Sequence, residues 1–134
     1  MTALKNIHPS LNKALAKRGY ETLTPVQNAV LDPALAEQDL LVSAQTGSGK
    51  TVAFGLAFAS TLLGETEHFE KTSPPLALVI APTRELALQV KRELEWLYEP
   101  SGAVVISCVG GVDARAERRT LENGAHIVVG TPGR

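Results

Sequence analysis

The feature that most limits the fold of this chain is a regular alternation of short apolar runs with stretches of helical spacing. The apolar runs, which are rich in β-branched residues and bounded by glycine, proline or polar residues, are Asp39–Ala44, Leu76–Ala81, Ala103–Cys108 and His126–Gly130. Continuous apolar runs of this length are typical of strands buried on both faces. The alternation therefore predicts an α/β fold with a parallel sheet.

The segments between these runs carry apolar residues at helical spacing, as in Leu86, Val90, Leu94 and Leu97. The predicted helices are Ser10–Lys17, Pro25–Leu35, Lys50–Leu63, Arg84–Leu97 and Asp113–Glu122. Gly19 is placed to end the first of them, and Asp113 to cap the last. The polar segment Gly64–Pro75 is rich in turn formers, so we expect a surface loop there.

Length and composition limit the class of protein. A chain of 134 residues, 44% of them hydrophobic and 20% charged, fits one globular domain or part of one. The chain shows no apolar run long enough to span a membrane and no secretion signal, and Cys108 is its only cysteine. We therefore expect a cytoplasmic protein. Because the chain stops directly after a predicted strand, we also expect it to be a fragment of a longer sequence.

The net charge of -1 provides no overall field that would attract nucleic acid, so any such binding has to depend on local features. Arg115, Arg118 and Arg119 share one face of the last predicted helix, but Glu117 and Glu122 dilute their charge. We interpret this face as an ordinary solvated surface. The isolated histidines show no spacing typical of a metal site.

The strongest motif is Ala44–Thr51, which follows a predicted strand and opens a predicted helix. In that context, glycines let backbone N–H groups surround phosphate oxygens, and the helix N-terminus adds a favourable dipole. Lys50 supplies a charge for the β- and γ-phosphates, and the Thr51 hydroxyl is a candidate ligand for Mg²⁺. The motif predicts a nucleoside triphosphate site. The alternative is a glycine-rich turn with an incidental lysine.

Thr24–Gln27 has two interpretations. Thr24, Pro25 and Gln27 have the spacing of a helix cap, in which Gln27 closes a capping box. A carboxamide also donates and accepts hydrogen bonds at once, so it matches the N6 and N7 edge of adenine. The residues alone leave both interpretations open.

Three further segments follow predicted strands. Pro82–Glu85 opens a helix, so its free N–H groups and the Arg84 guanidinium suit a phosphate, although a plain helix start explains it equally well. Gly110–Gly111 permits either a close backbone approach or a tight turn. Thr131–Arg134 offers a hydroxyl and a bidentate cation beyond a strand end, where ligands of α/β proteins bind.

Together these motifs resemble those of the DEAD-box RNA helicases in order and spacing. The matching segments are Gly19–Gln27, Ala44–Thr51, Pro82–Ala87, Gly110–Gly111 and Thr131–Arg134. Alanine at position 44, where the strict phosphate-loop pattern has glycine, is itself typical of this family. The resemblance implies the N-terminal part of the first RecA-like domain of an ATP-dependent RNA helicase. Residues 1–38 would form its adenine-recognition helices and residues 39–134 its α/β core.

The resemblance also assigns residues to ligands. It implies that ATP and Mg²⁺ are bound by Tyr20, Gln27, Ala44, Gln45, Thr46, Gly47, Ser48, Gly49, Lys50 and Thr51. Within that set, Lys50 and Thr51 are the catalytic candidates and Thr51 is the metal ligand. It implies that the RNA backbone, without sequence specificity, is bound by Pro82, Thr83, Arg84, Glu85, Gly110, Gly111, Thr131, Pro132, Gly133 and Arg134.

Several parts of the family's machinery lie downstream of the matched motifs. They are the acidic metal motif, a coupling motif and a second RecA-like domain, and this chain contains none of them. We therefore expect the 134 residues alone to bind ATP and RNA without hydrolysing ATP or unwinding a duplex. The alternatives are another P-loop NTPase, or a short module that binds ATP or RNA without catalysis.

Overall fold

A computed structural model of the chain describes residues 5–45, 47, 49–71, 74–110 and 113–134. Within these residues lies one parallel sheet, formed by β1 (Ala77–Ile80), β2 (Val105–Cys108) and β3 (Ile127–Gly130). The strand order is β1-β3-β2, so the last strand in the chain is the middle strand of the sheet. The predicted α/β fold with a parallel sheet is confirmed.

Two helices make the crossover connections that parallel strands require. Helix α5 (Arg84–Tyr98) joins β1 to β2, and α6 (Ala114–Glu122) joins β2 to β3. In the register of the sheet, Ile80 and Cys108 both lie opposite Gly130. The carboxyl ends of all three strands therefore meet at one edge, which positions the segments that follow them.

The prediction of a strand over Asp39–Ala44 is wrong for this structure. Among the described residues this segment pairs with no strand, and Leu41 is fully exposed, with Leu40 and Val42 also exposed. An apolar run becomes a strand only when its N–H and C=O groups find a neighbouring strand. The ladders described are those of β1 with β3 and of β2 with β3, so the backbone groups of this segment have no strand partner among the described residues.

The chain begins with two short helices. Helix α1 (Pro9–Lys17) buries Leu11 and Leu15, and Gly19 follows it with a φ of 80°, as predicted for a glycine that closes a helix. Helix α2 (Pro25–Val30) is shorter than predicted. Pro33 lacks an N–H group and disfavours a helical conformation at the residue before it, so the chain continues as a 3₁₀ turn over Pro33–Leu35.

The predicted helix over Lys50–Leu63 is divided into α3 (Lys50–Ala57) and α4 (Ala59–Leu63). Phe58 separates them, with a ψ of 0°, and its ring packs against Tyr98 at a centroid distance of 5.8 Å. No described helix is long and apolar enough to cross a membrane.

The main core lies between α5 and the sheet, with α1 and α3 packed against α5. Leu94, Leu97 and Tyr98 of α5 are completely buried, and the Tyr98 hydroxyl donates a hydrogen bond of 2.6 Å to the Gly55 carbonyl. Burial raises the pKa of Tyr98, so the hydroxyl keeps its proton. A Cβ at Gly55 would lie 2.8 Å from Leu97 Cδ2, so glycine permits α3 to approach α5 this closely.

The other face of the sheet is covered only in part. A smaller cluster, in which Leu121 of α6 packs against Ile106 and Val128, covers β2 and β3. Leu78 and Ile80 of β1 point to the same face and are 68% and 56% exposed. The cover supplied by α6 therefore does not extend to β1.

The loop after α4 lies on the surface, as predicted, and two histidines hold it. The His126 ring accepts a hydrogen bond from the Val104 N–H at Nδ1 and donates one from Nε2 to the Glu70 carbonyl, both at 2.8 Å. His8 contacts the Gly64 carbonyl through Nε2 at 3.1 Å, and its Nδ1 accepts from the Ser10 N–H. In each ring Nδ1 faces a backbone N–H and Nε2 faces a backbone carbonyl, which is the arrangement that fits the tautomer with its proton on Nε2.

Candidate nucleotide and nucleic-acid sites

The segments that follow the strands meet at the carboxyl edge of the sheet. The Ala81 N–H donates to the Gly130 carbonyl at 2.9 Å, and the Thr131 N–H donates to the Cys108 carbonyl at 3.2 Å. These bonds extend the ladders past the ends of the strands. They bring Pro82–Glu85, Gly110 and Thr131–Arg134 to adjacent places, whereas Gly111 lies outside the described residues.

Pro82–Glu85 forms the exposed start of α5. Thr83 is the N-cap of this helix, and its hydroxyl accepts a hydrogen bond of 3.2 Å from the Leu86 N–H. Arg84 and Glu85 occupy the first turn and are exposed to solvent, as are Pro82 and Thr83. The segment therefore presents a helix N-terminus and a guanidinium to solvent, which is the arrangement that an anionic backbone requires.

A carboxylate that the sequence analysis placed on a solvated face joins the other two segments. Glu117 Oε1 accepts a hydrogen bond of 2.7 Å from Arg134 Nε, and Oε2 accepts one of 2.9 Å from the Val109 N–H. The Glu117 side chain is only 11% exposed, so its interpretation as solvated is wrong. Arg115, Arg118 and Arg119 on the same helix are exposed, as expected.

One feature of the sequence indicates where the Glu117 side chain points. It lies in the first turn of α6, and side chains of a helix lean towards its N-terminus. A carboxylate there is directed back to the end of the preceding strand, which is β2. These groups also affect the nearby Cys108 thiol. Burial and the negative charge of Glu117 raise the pKa of Cys108, and the positive charge of Arg134 lowers it by a smaller amount.

The phosphate-loop residues lie ahead of α3. Gly49 is the N-cap of α3, with a φ of 87° that favours glycine, and Lys50 and Thr51 form the first turn. The Lys50 ammonium donates a hydrogen bond of 2.8 Å to the Ala44 carbonyl, so the side chain reaches back across the loop. Gln45 and Gly47 are exposed, and Thr46 and Ser48 lie outside the described residues.

Gln27 lies against this loop. Its Oε1 accepts from the Thr24 N–H at 3.0 Å while the Thr24 hydroxyl accepts from the Gln27 N–H, which is the predicted capping box. Its Nε2 donates to the Gly49 carbonyl at 3.2 Å, and the whole residue is 1% exposed. A Cβ at Gly49 would lie 2.4 Å from Nε2, so the two residues fit only because position 49 has no side chain.

Tyr20 has a different environment. Its ring packs against Trp96 of α5 at a centroid distance of 5.9 Å, and the Arg18 guanidinium lies 4.5 Å from the centroid of the same indole. Burial, with a smaller effect of Glu93, raises the pKa of Tyr20. These contacts give Tyr20 a role in joining the segment after α1 to α5, and its part in binding a nucleotide stays a prediction.

The residues that would bind a triphosphate fit that group. The left-handed backbone at Gly49, the Lys50 side chain directed over the loop and the Thr51 hydroxyl in the first turn of α3 are the components of a phosphate cradle. The described residues contain no group of three or more His, Cys, Asp or Glu side chains able to hold a metal ion.

The sequence model of the DEAD/DEAH box helicases matches residues 24–134. This match includes the phosphate loop and all three segments at the carboxyl edge of the sheet. The chain belongs to the DEAD/DEAH box helicase family.

Two curated relatives illustrate the similarity. The chain is 45% identical over 132 residues to the DEAD-box ATP-dependent RNA helicase 9 of Oryza sativa subsp. japonica. The aligned region covers 96% of this chain and 20% of that protein. It is 39% identical over 129 residues to the DEAD-box ATP-dependent RNA helicase CshA of Bacillus subtilis strain 168. Here the aligned region covers 96% of this chain and 25% of that protein. The chain thus spans about a fifth to a quarter of these relatives.

A solved structure agrees with the fold. The crystal structure of the RNA helicase Prp28 from Chaetomium thermophilum bound to ADP superposes with a TM-score of 0.82 at 38% identity. The alignment covers 100% of this chain and 33% of that chain. The fold is that of a RecA-like domain of this helicase family.

Proposed function

We propose that this chain binds ATP and the RNA backbone as part of an ATP-dependent RNA helicase. The observation that carries the proposal is the convergence of Pro82–Glu85, Gly110 and Thr131–Arg134 at one edge of the sheet, in a chain that also has a phosphate loop. Family membership and the names of the relatives support it. The proposal keeps the division into adenine-recognition helices over 1–38 and an α/β core over 39–134, and it keeps a cytoplasmic location.

The proposed nucleotide site comprises Gln27 and the loop from Ala44 to Thr51. Lys50 would exchange its hydrogen bond with the Ala44 carbonyl for phosphate oxygens, and the free N–H groups at the start of α3 would surround them. Thr51 would contribute a ligand to Mg²⁺, which would neutralise phosphate charge. Support for ATP comes from this chemistry and from ADP in the structure of the related Prp28.

The role of Gln27 in adenine recognition is part of the proposal. Its capping box uses one lone pair of Oε1, and its bond to Gly49 uses one hydrogen of Nε2. One donor and one acceptor of the carboxamide stay available in number, but Gln27 is 1% exposed, so a base would reach them only by displacing the groups that cover this side chain. Because guanine presents O6 where adenine presents an amino group, we expect ATP to bind more tightly than GTP.

The proposed RNA site contacts phosphate and sugar, which position a strand without reading its sequence. Arg84 and the N-terminus of α5 would bind one phosphate. Gly110 and Thr131–Gly133 would approach the neighbouring backbone, because glycine and a strand end allow close contact. A second RecA-like domain in the full-length protein would supply the opposite side of the site.

A calorimetric titration of Mg-ATP tests the nucleotide site. We expect Lys50→Ala to bind about tenfold to a hundredfold more weakly than the parent chain, because the variant cannot form the charge-assisted hydrogen bond to phosphate. Lys71→Ala is the matched control, since Lys71 is exposed in the loop after α4. Equal affinities for the folded parent and Lys50→Ala would reject the assignment.

Fluorescence anisotropy with unrelated single-stranded RNA oligonucleotides tests the RNA site. The logarithm of the affinity should fall with the logarithm of salt concentration by about 0.7 for each phosphate that the protein neutralises. Arg84→Ala should neutralise about one phosphate fewer, whereas Arg92→Ala, an exposed arginine further along α5, should leave the slope unchanged. A strong base preference or an affinity independent of salt would exclude a backbone site.

A phosphate-release assay with saturating ATP and RNA tests turnover. We expect binding without hydrolysis by the 134 residues, because phosphoryl transfer needs a positioned metal, an oriented water and charge stabilisation, of which an arginine finger alone can contribute about 10³- to 10⁵-fold in rate. The comparison is a longer chain that extends through a second RecA-like domain. Rapid turnover by the 134 residues would show that catalysis depends on residues other than those proposed.

A further inference from the structure

Glu117 links two of the segments to which the proposed RNA site assigns backbone contacts. One carboxylate oxygen is bonded to the main chain after β2, at the Val109 N–H, and the other to Arg134, after β3. These segments are already neighbours through the bond from the Thr131 N–H to the Cys108 carbonyl. The carboxylate adds a second connection, made further beyond the strand ends.

The geometry favours a fixed connection over an incidental surface pair. Glu117 is 11% exposed at its side chain and Arg134 is 28% exposed, so solvent screens the ion pair only in part. Both oxygens are used, and each bond is short, at 2.7 Å and 2.9 Å. A carboxylate held at both oxygens has little freedom to rotate, so it defines the separation of its two partners.

The negative charge of Glu117 argues against a direct contact between this side chain and RNA. A carboxylate beside an RNA strand repels phosphate, so its presence among the segments of this site should by itself weaken binding. Its contribution is therefore expected to come from the positions that it imposes on Val109, Gly110 and Arg134.

We propose that Glu117 is a positioning residue for RNA binding, which holds the segments after β2 and β3 at the separation that lets both contact one RNA backbone. This inference rests on the proposed RNA-binding function. In this proposal the Arg134 side chain binds Glu117 and not the RNA. The RNA backbone is contacted by the main chain of Gly110 and of Thr131–Gly133. Loss of the carboxylate would release both segments at once.

The test compares Glu117→Ala, Glu117→Gln and the control Glu122→Gln, with RNA affinity measured by fluorescence anisotropy. Glu122 is exposed on the same helix, so its replacement removes an equal charge and should leave binding unchanged or slightly tighter. Glu117→Ala should bind about tenfold more weakly, the ratio typical of removing one charge-assisted hydrogen bond. Glu117→Gln should lie between them, because its amide oxygen can still accept from the Val109 N–H.

Two further readouts separate positioning from a general loss of folding. Hydrogen exchange of the Val109 amide, followed by NMR, should accelerate in Glu117→Ala and remain slower in Glu117→Gln. The salt slope of RNA binding should stay near that of the parent chain in Glu117→Ala, because the contacts that this variant loses come from uncharged backbone groups, whereas the slope counts phosphates neutralised by lysine and arginine. If the weaker binding instead accompanies a lower circular dichroism signal and faster amide exchange throughout the sheet, the loss is one of folding, and this result would overturn the proposal.

The remaining outcomes are also decisive. If the parent chain binds RNA and both Glu117 variants bind as tightly as Glu122→Gln, the positioning role is wrong while the RNA function stands. If the folded parent chain binds no RNA, the proposed function fails and this inference fails with it. If Glu117→Ala does not fold, the RNA affinity of Glu117→Gln is compared with that of Glu122→Gln instead, since glutamine retains the size of the side chain.

Discussion

The carboxyl edge of the sheet and the segment that leads into α3 both carry nucleotide- or RNA-binding motifs, but they are held in different ways. At the sheet edge, ladder bonds continue to Ala81 and Thr131, and Glu117 connects the segments beyond them. Residues 39–45 have no ladder in the described part of the chain, and Leu41 is fully exposed. The phosphate loop is held from its helix side, by the bond between Gln27 and Gly49.

The difference shows what a sequence motif determines by itself. The start of a helix is a local structure, because its cap and its first turn satisfy one another within a few residues. A strand is not local, because its backbone groups depend on a neighbour far along the chain. The helix that follows the phosphate loop is therefore formed, and the strand predicted ahead of it is not.

The largest expected effect compares two leucines, one from each region. Leu94 of α5 is completely buried beside Gly55 of α3, so Leu94→Ala should lower the free energy of unfolding by about 2 to 5 kcal/mol. Leu41→Ala should change it by less than about 0.5 kcal/mol, because the side chain is already in solvent. Urea denaturation followed by circular dichroism measures both. Similar costs at the two positions would show that residues 39–45 pack against the domain.

A smaller effect compares two glycines of the phosphate loop. Gly47 and Gly49 have φ angles of 82° and 87°, so alanine at either position should cost about 1 to 2 kcal/mol in backbone strain. A Cβ at Gly47 meets no described atom within 4 Å, whereas one at Gly49 would lie 2.4 Å from Gln27 Nε2.

We therefore expect Gly49→Ala to be less stable than Gly47→Ala by at least about 1 kcal/mol, the cost of disturbing a buried hydrogen bond. Thermal denaturation of the two variants measures the difference. Equal stabilities would mean that the contact between Gln27 and Gly49 does not hold the loop.

The smallest effect concerns the electrostatics of the sheet edge. Burial, together with the Glu117 charge, raises the pKa of Cys108 above its ordinary value, so the thiolate forms only at higher pH. The rate of alkylation by iodoacetamide should therefore rise at a higher pH in the folded chain than in the same chain in urea. Cys108 is the only cysteine, so the rate reports on this site alone. A midpoint at or below that of the denatured chain would contradict the described surroundings of the thiol.

The parts of the fold that the sequence predicted are those with strong local or periodic signals. The runs that became β1, β2 and β3 are apolar enough to mark a buried sheet, and the capping box at Thr24 and the cap at Asp113 fix helix starts. Three segments were predicted to follow strands, and in a parallel sheet the segments that follow the strands lie at one edge.

The parts that the sequence did not predict depend on contacts between distant residues. The ring of Tyr20 packs against Trp96, and Glu117 pairs with Arg134, because the fold brings these residues together. The place of Glu117 in the first turn of α6 indicates its direction towards β2, but nothing in the sequence identifies Arg134 as its partner or Trp96 as the partner of Tyr20. A charged residue in a polar helix is ordinarily solvated, so composition pointed to the wrong environment for Glu117.

The arrangement around His126 restricts which residues that position tolerates. One side of the ring faces a backbone donor and the other faces a backbone acceptor, so the position needs one lone pair and one proton at opposite sides of a flat group. Carboxylates offer only lone pairs, lysine and arginine offer only protons, and an imidazolium has lost its lone pair. The loop after α4 and the start of β3 are therefore joined by a connection with a fixed direction, which needs a side chain that donates on one side and accepts on the other, as the imidazole of His126 does here.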